Sequence, residues 1–336
     1  GADDSIKYSN FSLFLHEQGL AFSFSKLFSG YGEWGFDDMG FPIFLSILLK
    51  FSNSTLLVSF VNVVISSLTA SLVYLWIKRS FNHEVGLYSS ISFALMSSTI
   101  FFQASGLKET LMMFVIVLTY FHYDRFYYKH SVLSFFIFIL AAFGLLFFRI
   151  PLFLFVIISV GLHLIFSVKN KARRLVLLGV SAFVAILLVG VVITFLDRYL
   201  LDYSMLIKLK RGQAGFRGLP ASMITFISFV GGFFGPFPTI VPLKGSESHS
   251  IHGIGLTIKV LLAFPFLYSL KALWVNKKVD AVPIVVFLIL NIVGVSFLWE
   301  SFEIRKIFTT VPFFFILAFY GLQQLKLSGK MVIVNG

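Results

Sequence analysis

Long apolar runs alternate with short polar stretches along most of the chain after residue 54. Runs of roughly 17–25 residues are long enough to cross a bilayer as helices. The apolar runs cover residues 55–77, 85–103, 110–122, 131–148, 151–168, 175–196, 254–275, 281–299 and 307–325. The run at 110–122 is short, so its helix can begin earlier, with Lys108 and Glu109 in its first turn. This pattern predicts an all-α polytopic membrane protein with about nine to eleven transmembrane or re-entrant helices.

The first 53 residues follow a different pattern, because charged residues interrupt the apolar stretches. The apolar positions between Leu13 and Phe28 are typical of short amphipathic helices that lie on a membrane surface. Pro42 suits the first turn of a helix, so the acidic pair Asp37 and Asp38 stands just before a predicted helix start. Those two carboxylates are explained equally well as residues that stabilise the helix start and as functional groups.

The composition agrees with a membrane protein and excludes several other classes. Hydrophobic residues make up 58% of the chain and charged residues only 12%, whereas a soluble domain carries about 25% charged residues. Cysteine is absent, so disulfides and thiolate metal sites are excluded. No Walker loop, dinucleotide fingerprint or HExxH motif is present, which argues against a sugar nucleotide as a substrate. We attribute the net charge of +12 to cytoplasmic loops and to contacts with anionic lipid or phosphate, not to nucleic acid.

The segment 223–243 decides the predicted orientation. It is apolar but broken by glycines and prolines at 231, 232, 235, 236 and 238, and such a segment is tolerated at membrane depth only where protein or a water-filled cavity covers it. If it enters and leaves on one face, basic clusters such as those at 78–79 and 169–174 all fall on one side. That side is then cytoplasmic by the positive-inside rule. Twelve of the fifteen acidic residues fall on the opposite side, an asymmetry that a purely structural bundle does not need.

The adjacent carboxylates Asp3 and Asp4 stand at the water-exposed edge of this apolar chain. Carboxylates are costly in hydrocarbon, so they lie where water, a cation or a reacting group meets them. Tyr8 is four residues beyond Asp4, so the two share a face if this stretch is helical. A solvated helix start explains the same pair without any function.

Cationic residues on the same predicted side are candidates for binding phosphate. The loop 208–217 combines several bases with glycines whose N–H groups can approach an anion, and contact with lipid headgroups explains it equally well. Arg149, directly before a proline-led span, is explained slightly better as an interfacial base. His249 and His252 have a spacing compatible with metal binding, but no third ligand is near in sequence, and a solvated loop is favoured.

Five short motifs follow one another along the chain: Asp3-Asp4 with Tyr8, Gly40-Phe41-Pro42, Asn62, Lys108-Glu109, and Arg305-Lys306 followed by Pro312. In this order they resemble the GT-C superfamily, the multi-span glycosyltransferases that use polyprenyl-phosphate sugars, notably the bacterial relatives of family 39 mannosyl and aminoarabinose transferases. The usual first helix of that family is absent from this sequence, so we expect one upstream. The acids Glu300 and Glu303 also depart from the family pattern.

The resemblance implies transfer of a hexosyl or pentosyl group from a polyprenyl-phosphate-linked sugar to a glycan, lipid or protein acceptor. The transfer would occur at the non-cytoplasmic face of a cell membrane, the inner membrane of a bacterium. Asp3 or Asp4 would be the general base, with a weak preference for Asp4. No metal ligand is implied, although a divalent cation is compatible with the site. The residues expected to bind substrate are Tyr8, Asp37, Asp38, Lys108, Glu109, Arg149, Arg217, Arg305 and Lys306.

On this interpretation residues 1–53 form a non-cytoplasmic catalytic loop with amphipathic helices beside the membrane. Residues 54–336 form a transmembrane helical domain with non-cytoplasmic loops at 197–222 and 244–253. Two other classes remain open: a polysaccharide polymerase or ligase that uses an undecaprenyl-diphosphate glycan, and a flippase or transporter of a lipid-linked glycan. The transporter is disfavoured, because the span centres between 55 and 200 carry no charge and no internal repeat is visible.

Overall fold

The computed structural model describes residues 2–19, 38–52, 54–104, 106–168, 208, 218–234, 255, 257–296 and 307–334. Within these ranges every regular element is a helix and none is a strand, which confirms the all-α prediction for this part of the chain. The chain forms two compact units, Gly1–Phe153 and Leu154–Gly336. The predicted boundary after residue 53 falls inside the first unit.

The described residues of the first unit form seven α-helices, and an eighth begins at its end. They are α1 (Ala2–Glu17), α2 (Gly40–Leu48), α3 (Thr55–Ser80), α4 (His83–Leu95), α5 (Ser97–Ala104), α6 (Glu109–Lys129), α7 (Val132–Gly144) and α8 (Ile150–Ser167). A 3₁₀ turn, Leu145–Phe147, follows α7. Residues 20–37, where the second half of the amphipathic N-terminal pattern falls, lie outside the described residues.

The second unit takes the remainder of α8 and, in its described residues, four further α-helices. They are α9 (Ala221–Phe234), α10 (Ala263–Val275), α11 (Val282–Ser296) and α12 (Val311–Val334). Short 3₁₀ turns, Val279–Ala281 and Phe308–Thr310, lead into α11 and α12.

Three helical stretches in the described ranges are long and apolar enough to cross a membrane: Leu56–Ser80, Ile150–Ser167 and Phe308–Ser328. A fourth is reached if α4 and α5, which meet at an angle of 50°, are counted as one broken span. The expected total of nine to eleven is therefore not confirmed. The predicted span 175–196 lies outside the described residues.

Three boundaries differ from the sequence prediction. The run 85–103 bends at Met96, between α4 and α5, and is not a single straight helix. The short run at 110–122 belongs to a longer helix, Glu109–Lys129, because the polar turn of residues 123–129 continues it. Gly231 and Gly232 do not break their segment, since α9 runs through both to Phe234; each glycine costs a helix only about 1 kcal/mol. Whether 223–243 re-enters the membrane stays a prediction, because residues 235–243 lie outside the described part.

In the first unit α3 and α6 run parallel. At the start of α3 the Ser59 hydroxyl donates to the Ala104 carbonyl oxygen (3.2 Å), just before α6 begins. Towards the other end the Trp76 and Tyr120 rings stack at 5.4 Å, and Arg79 forms an ion pair with Asp124. The two ends are separated by the length of α6, about 31 Å at 1.5 Å per residue.

The helix α7 returns antiparallel to α6. His130 adopts a left-handed conformation (φ 51°) between the two helices, and the Tyr123 and Phe138 rings then pack at 5.5 Å. The residues that follow α7, including Arg149, consequently lie at the end of the unit where α6 begins. This topology gathers Lys108 and Arg149 at one end and the Arg79–Asp124 pair at the other.

The second unit depends on a close approach of α10 and α12. A methyl group added at Gly321 would overlap the Pro265 carbonyl oxygen. The Phe266 and Phe314 rings stack at 4.9 Å, and the Asn276 amide donates to the Tyr320 hydroxyl at 3.1 Å. Phe266 faces Phe314 near the start of both helices, and the Asn276 amide, just after α10, donates to the Gln324 amide oxygen at 3.4 Å further along α12, so the two helices run parallel.

Replacing Gly321 by Ala should destabilise the protein, because the two backbones must separate to make room for the methyl group. The expected loss of unfolding free energy is about 1–3 kcal/mol, the range for overpacking. Thermal unfolding in uncharged detergent micelles measures it. Gly161→Ala in α8 is the matched control, since a methyl there meets nothing within 4 Å. Equal unfolding midpoints for Gly321→Ala and the parent would refute the close approach.

Candidate functional site

A buried ion pair stands at the end of the first unit where α6 begins. The Lys108 ammonium donates to the Asp38 carboxylate. Lys108 directly precedes α6, and it is only 5% exposed. The Asp38 side chain remains 37% exposed, so water or a ligand can reach this carboxylate, whereas its partner is enclosed.

Local structure explains why Asp38 reaches this position. It stands two residues before the start of α2, and Gly40 packs so closely that an added Cβ would lie 2.8 Å from the Phe147 carbonyl oxygen. Phe41 is fully buried, and its ring meets the Tyr8 ring edge-on at 5.3 Å. The glycine therefore lets the start of α2 press against the turn after α7, and the aromatic contact attaches α1 to it.

Tyr8 also covers the lysine. The Lys108 ammonium lies 5.7 Å from the centre of the Tyr8 ring, within the range of a cation–π interaction. Tyr8 is itself buried. One aromatic side chain thus contacts both the cation of the ion pair and the helix that presents its carboxylate.

Arg149 and Glu109 complete the charged cluster, which we define as Asp38, Lys108, Glu109 and Arg149. Burial, followed by the nearby Arg149 guanidinium, lowers the pKa of Lys108 from its usual value, while the Asp38 and Glu109 carboxylates oppose that change. Glu109 is fully buried in the first turn of α6. Arg149 is half-buried, and none of the described carboxylates forms an ion pair with it.

This arrangement provides two different kinds of cation. Lys108 is occupied by Asp38, and it holds the carboxylate in place. Arg149 retains its donors for another anion, and a guanidinium can bind two phosphate oxygens at once. The cluster can therefore bind an anionic group beside an accessible carboxylate.

Five of the predicted site residues come together here: Tyr8, Asp38, Lys108, Glu109 and Arg149. Asp3 and Asp4 lie in the first turn of α1, the helix that carries Tyr8, so Asp4 and Tyr8 are one helical turn apart, as the spacing predicted. The structure does not describe the side chains of Asp3 and Asp4. Several further predicted residues lie outside the described residues altogether, namely Asp37, Arg217, Arg305 and Lys306, together with His249 and His252.

Asn62 is a polar residue that the list of expected site residues did not include. It is fully buried, and neither atom of its amide has a hydrogen-bond partner among the described residues. It lies in α3 between Ser59, bonded to Ala104, and Ser66, which accepts from the Gln103 amide at 2.6 Å. The spacing 59, 62, 66 within an apolar run is the sequence signal, since it places three polar side chains on one helix face.

The described residues contain no group of three or more His, Asp or Glu side chains that could hold a metal ion. The cluster itself joins two carboxylates to two cations, and a cation beside the carboxylates disfavours a divalent metal. The described part of the chain thus offers anion binding more readily than metal binding.

A double-mutant cycle should reveal that Asp38 and Lys108 act as a pair. Asp38→Asn leaves a buried ammonium without its carboxylate, so it should destabilise more than Lys108→Met, which removes the charge. Because Asp38 is partly exposed, we expect a coupling free energy of about 1–3 kcal/mol. Denaturant unfolding of the two single variants and the double variant measures it.

Glu17→Gln, which removes an exposed carboxylate from α1, controls for a general effect of charge. Additive effects of the Asp38 and Lys108 substitutions would refute the pairing.

No family model, curated protein or solved structure matches this chain.

Proposed function

We propose that the chain is a membrane glycosyltransferase that moves a sugar from a polyprenyl-phosphate donor to a cell-envelope glycan, lipid or protein. One observation carries the proposal: the half-buried Arg149 guanidinium stands beside the Asp38–Lys108 ion pair at one end of long apolar helices. Glycosyl transfer from a lipid phosphate needs this combination, a cation for the phosphate and carboxylates close to the reacting sugar.

The reaction assigns a role to each kind of group. The acceptor oxygen bonds to the anomeric carbon of the sugar as the bond from that carbon to the phosphate oxygen breaks. The phosphate leaves with the bonding electron pair, and Arg149 would stabilise its growing negative charge. The acceptor's proton passes to a carboxylate. A second carboxylate favours the oxocarbenium-like transition state.

The carboxylates differ in their suitability as the base. The Asp38 carboxylate already accepts a hydrogen bond from Lys108, which suits electrostatic support of the sugar more than proton uptake. Asp3 and Asp4 share α1 with Tyr8, so the same helix that covers Lys108 also carries the proposed base. Glu109 is enclosed and does not compete for the acceptor.

The apolar helices support a lipid-linked substrate. Large side chains face outward along them, including Leu56, Phe60 and Leu140, and an apolar surface of this size is stable against lipid chains and not against water. We place the protein in the cell membrane and its site on the non-cytoplasmic face, opposite the basic end of α3 at Lys78 and Arg79. A lipid carrier then reaches the cluster from within the bilayer.

Removing the proposed base should abolish turnover and leave the fold intact. We expect Asp3→Asn and Asp4→Asn to act unequally, with one losing about 10²–10⁴-fold in rate. The fold should persist, since an acid in the first turn of a helix contributes only about 0.3–1 kcal/mol to stability through the helix dipole. The assay follows loss of a radiolabelled polyprenyl-phosphate sugar in reconstituted vesicles. Glu17→Gln is the control on the same helix. Parental turnover by the folded double variant would disprove the role of the acids.

Removing the phosphate-binding cation should have a different signature. Arg149→Ala should raise the KM for the donor by about tenfold to a hundredfold, the value of a charge-assisted hydrogen bond, and Arg149→Lys should recover part of the loss. Arg125→Ala, an exposed arginine at the far end of α6, is the control. Steady-state kinetics at varied donor concentration separates the effect on KM from the effect on kcat. An unchanged KM for the donor in Arg149→Ala would contradict the assignment.

A further inference from the structure

The outer face of α10 changes from apolar to basic along the helix. Its exposed positions recur every three or four residues, so they form one stripe on the helix surface. In the first half of the helix this stripe consists of Phe264 and Leu267. It then reaches Lys271, which is exposed, and Trp274, of which 86% is exposed. Such a stripe is typical of a helix that leaves the hydrocarbon core of a membrane near its end.

The turn after α10 adds two further lysines. The Lys278 N–H donates to the Leu273 carbonyl oxygen at 3.2 Å, and the Lys277 N–H donates to that of Trp274 at 3.3 Å, the hydrogen bonds of a Schellman motif. Lys277 occupies the left-handed position of this motif (φ 48°), where glycine is preferred because a side chain is strained. A lysine thus stands where glycine would be more stable, which points to a use for its charge.

A fourth lysine comes from α12. The Asn276 amide, just after α10, donates to the Tyr320 hydroxyl and to the Gln324 amide oxygen. Lys326 stands two residues beyond the second of these acceptors, about 3 Å further along the helix. It is exposed and belongs to the last turn of the apolar span Phe308–Ser328. Because α10 and α12 run parallel, the lysines of both helices lie at the same end of the second unit.

Local effects account for only part of this arrangement. Lysines near the C-terminus of a helix interact favourably with its dipole, but this effect falls off within the last turn. The helix α12 continues to Val334, more than a turn beyond Lys326, so the dipole does not explain that lysine. Asp280 is the one acidic side chain among the described residues of the second unit. The charge of this end is therefore predominantly positive.

We propose that this basic end of the second unit binds the anionic headgroups of phospholipids at the membrane surface. It consists of four lysines and an exposed indole: Lys271, Lys277, Lys278, Lys326 and Trp274. Phosphate oxygens accept charge-assisted hydrogen bonds from ammonium groups, and an indole ring is favoured at headgroup depth because one end is apolar and the other is polar. The positive-inside rule assigns such an end to the cytoplasmic leaflet.

A membrane surface fits better than a soluble anion because the apolar stripe continues directly into the lysines. Lipid chains would cover Phe264 and Leu267, while the headgroups of the same lipids would meet the ammonium groups. The surface does not depend on glycosyl transfer, since it belongs to the second unit and the Asp38–Lys108 pair belongs to the first.

Three probes separate the charge of a lipid from its chains. Phosphatidylglycerol is anionic, phosphatidylcholine with the same acyl chains has no net charge, and inorganic phosphate has no chains. The whole chain in uncharged detergent is titrated with each probe, and binding is read from the shift of the thermal unfolding midpoint and from the lipids retained in native mass spectrometry. We expect phosphatidylglycerol to bind more tightly than phosphatidylcholine, and the difference to diminish at high salt.

The double variant Lys277→Gly, Lys326→Gln should weaken phosphatidylglycerol binding about 25-fold, because each lysine near an anionic surface contributes about fivefold. Binding of phosphatidylcholine should stay as in the parent. Lys7→Gln, which removes an exposed lysine from α1 in the first unit, is the matched control and should bind phosphatidylglycerol as the parent does.

Lys277→Gly alone separates binding from folding. Without lipid this variant should unfold at the parental temperature or above it, because glycine adopts the left-handed conformation without strain. It should nevertheless bind phosphatidylglycerol about fivefold more weakly. A lower midpoint without lipid, together with parental binding, would assign the lysine to the fold and contradict the proposal.

Three other results would overturn it. Equal binding of phosphatidylglycerol and phosphatidylcholine would show that the surface does not recognise charge. An equal loss of binding in Lys7→Gln and in the double variant would show that net charge alone is responsible. If inorganic phosphate gave the full lysine-dependent shift, the ligand would be a free anion. Because none of these measurements uses sugar transfer, a failure here leaves the proposed function standing, and loss of that function leaves this surface standing.

Discussion

The burial of the Lys108 ammonium is the constraint on which the first unit depends. A charge enclosed among helices is tolerated only with an opposite charge in contact, and Asp38 supplies it from a segment 70 residues away. To hold that contact the chain must bring the start of α2 against the turn after α7, where Gly40 leaves room for the Phe147 carbonyl. The Tyr8–Phe41 contact then adds α1 to the same end. One ion pair thus requires four separate segments to meet.

The two described ion pairs of the first unit, Arg79–Asp124 and Lys108–Asp38, have similar chemistry but different surroundings. Arg79 and Asp124 join the far ends of α3 and α6, where the Ser80 hydroxyl (3.4 Å) and the Tyr128 ring (4.1 Å from the guanidinium carbon) contact the pair as well. All of these contacts come from α3 and α6 themselves, so the pair is explained as a structural link between the two helices. At the opposite end Arg149 adds a cation that no described carboxylate pairs with. The difference in available charge, not the presence of an ion pair, distinguishes a candidate binding site from a structural contact.

The second unit also encloses a lysine, Lys259, but between differently packed helices. Gly321 allows α10 and α12 to run side by side at close approach, and the Lys259 ammonium lies 5.5 Å from the centre of the Phe314 ring of α12. An ammonium enclosed in that position lacks a carboxylate among the described residues. In both units, therefore, close backbone packing at a glycine accompanies an enclosed cation.

The hydrophobic pattern alone was enough to predict the helical class of the described residues and the place of several helices, because apolar runs of bilayer length leave the backbone few other ways to satisfy its hydrogen bonds. The runs 55–77 and 151–168 correspond to Thr55–Ser80 and Ile150–Ser167 within a few residues. The sequence also placed Asp38, Lys108 and Arg149 among the residues expected to bind one substrate, although a local role at a helix start or a membrane interface explained Asp38 and Arg149 at least as well. Only the tertiary structure decided that these three meet, since contacts between distant segments depend on how helices pack and not on any local pattern. The same reason kept Lys259 hidden: a single lysine in an apolar run has no meaning until packing shows whether an anion accompanies it.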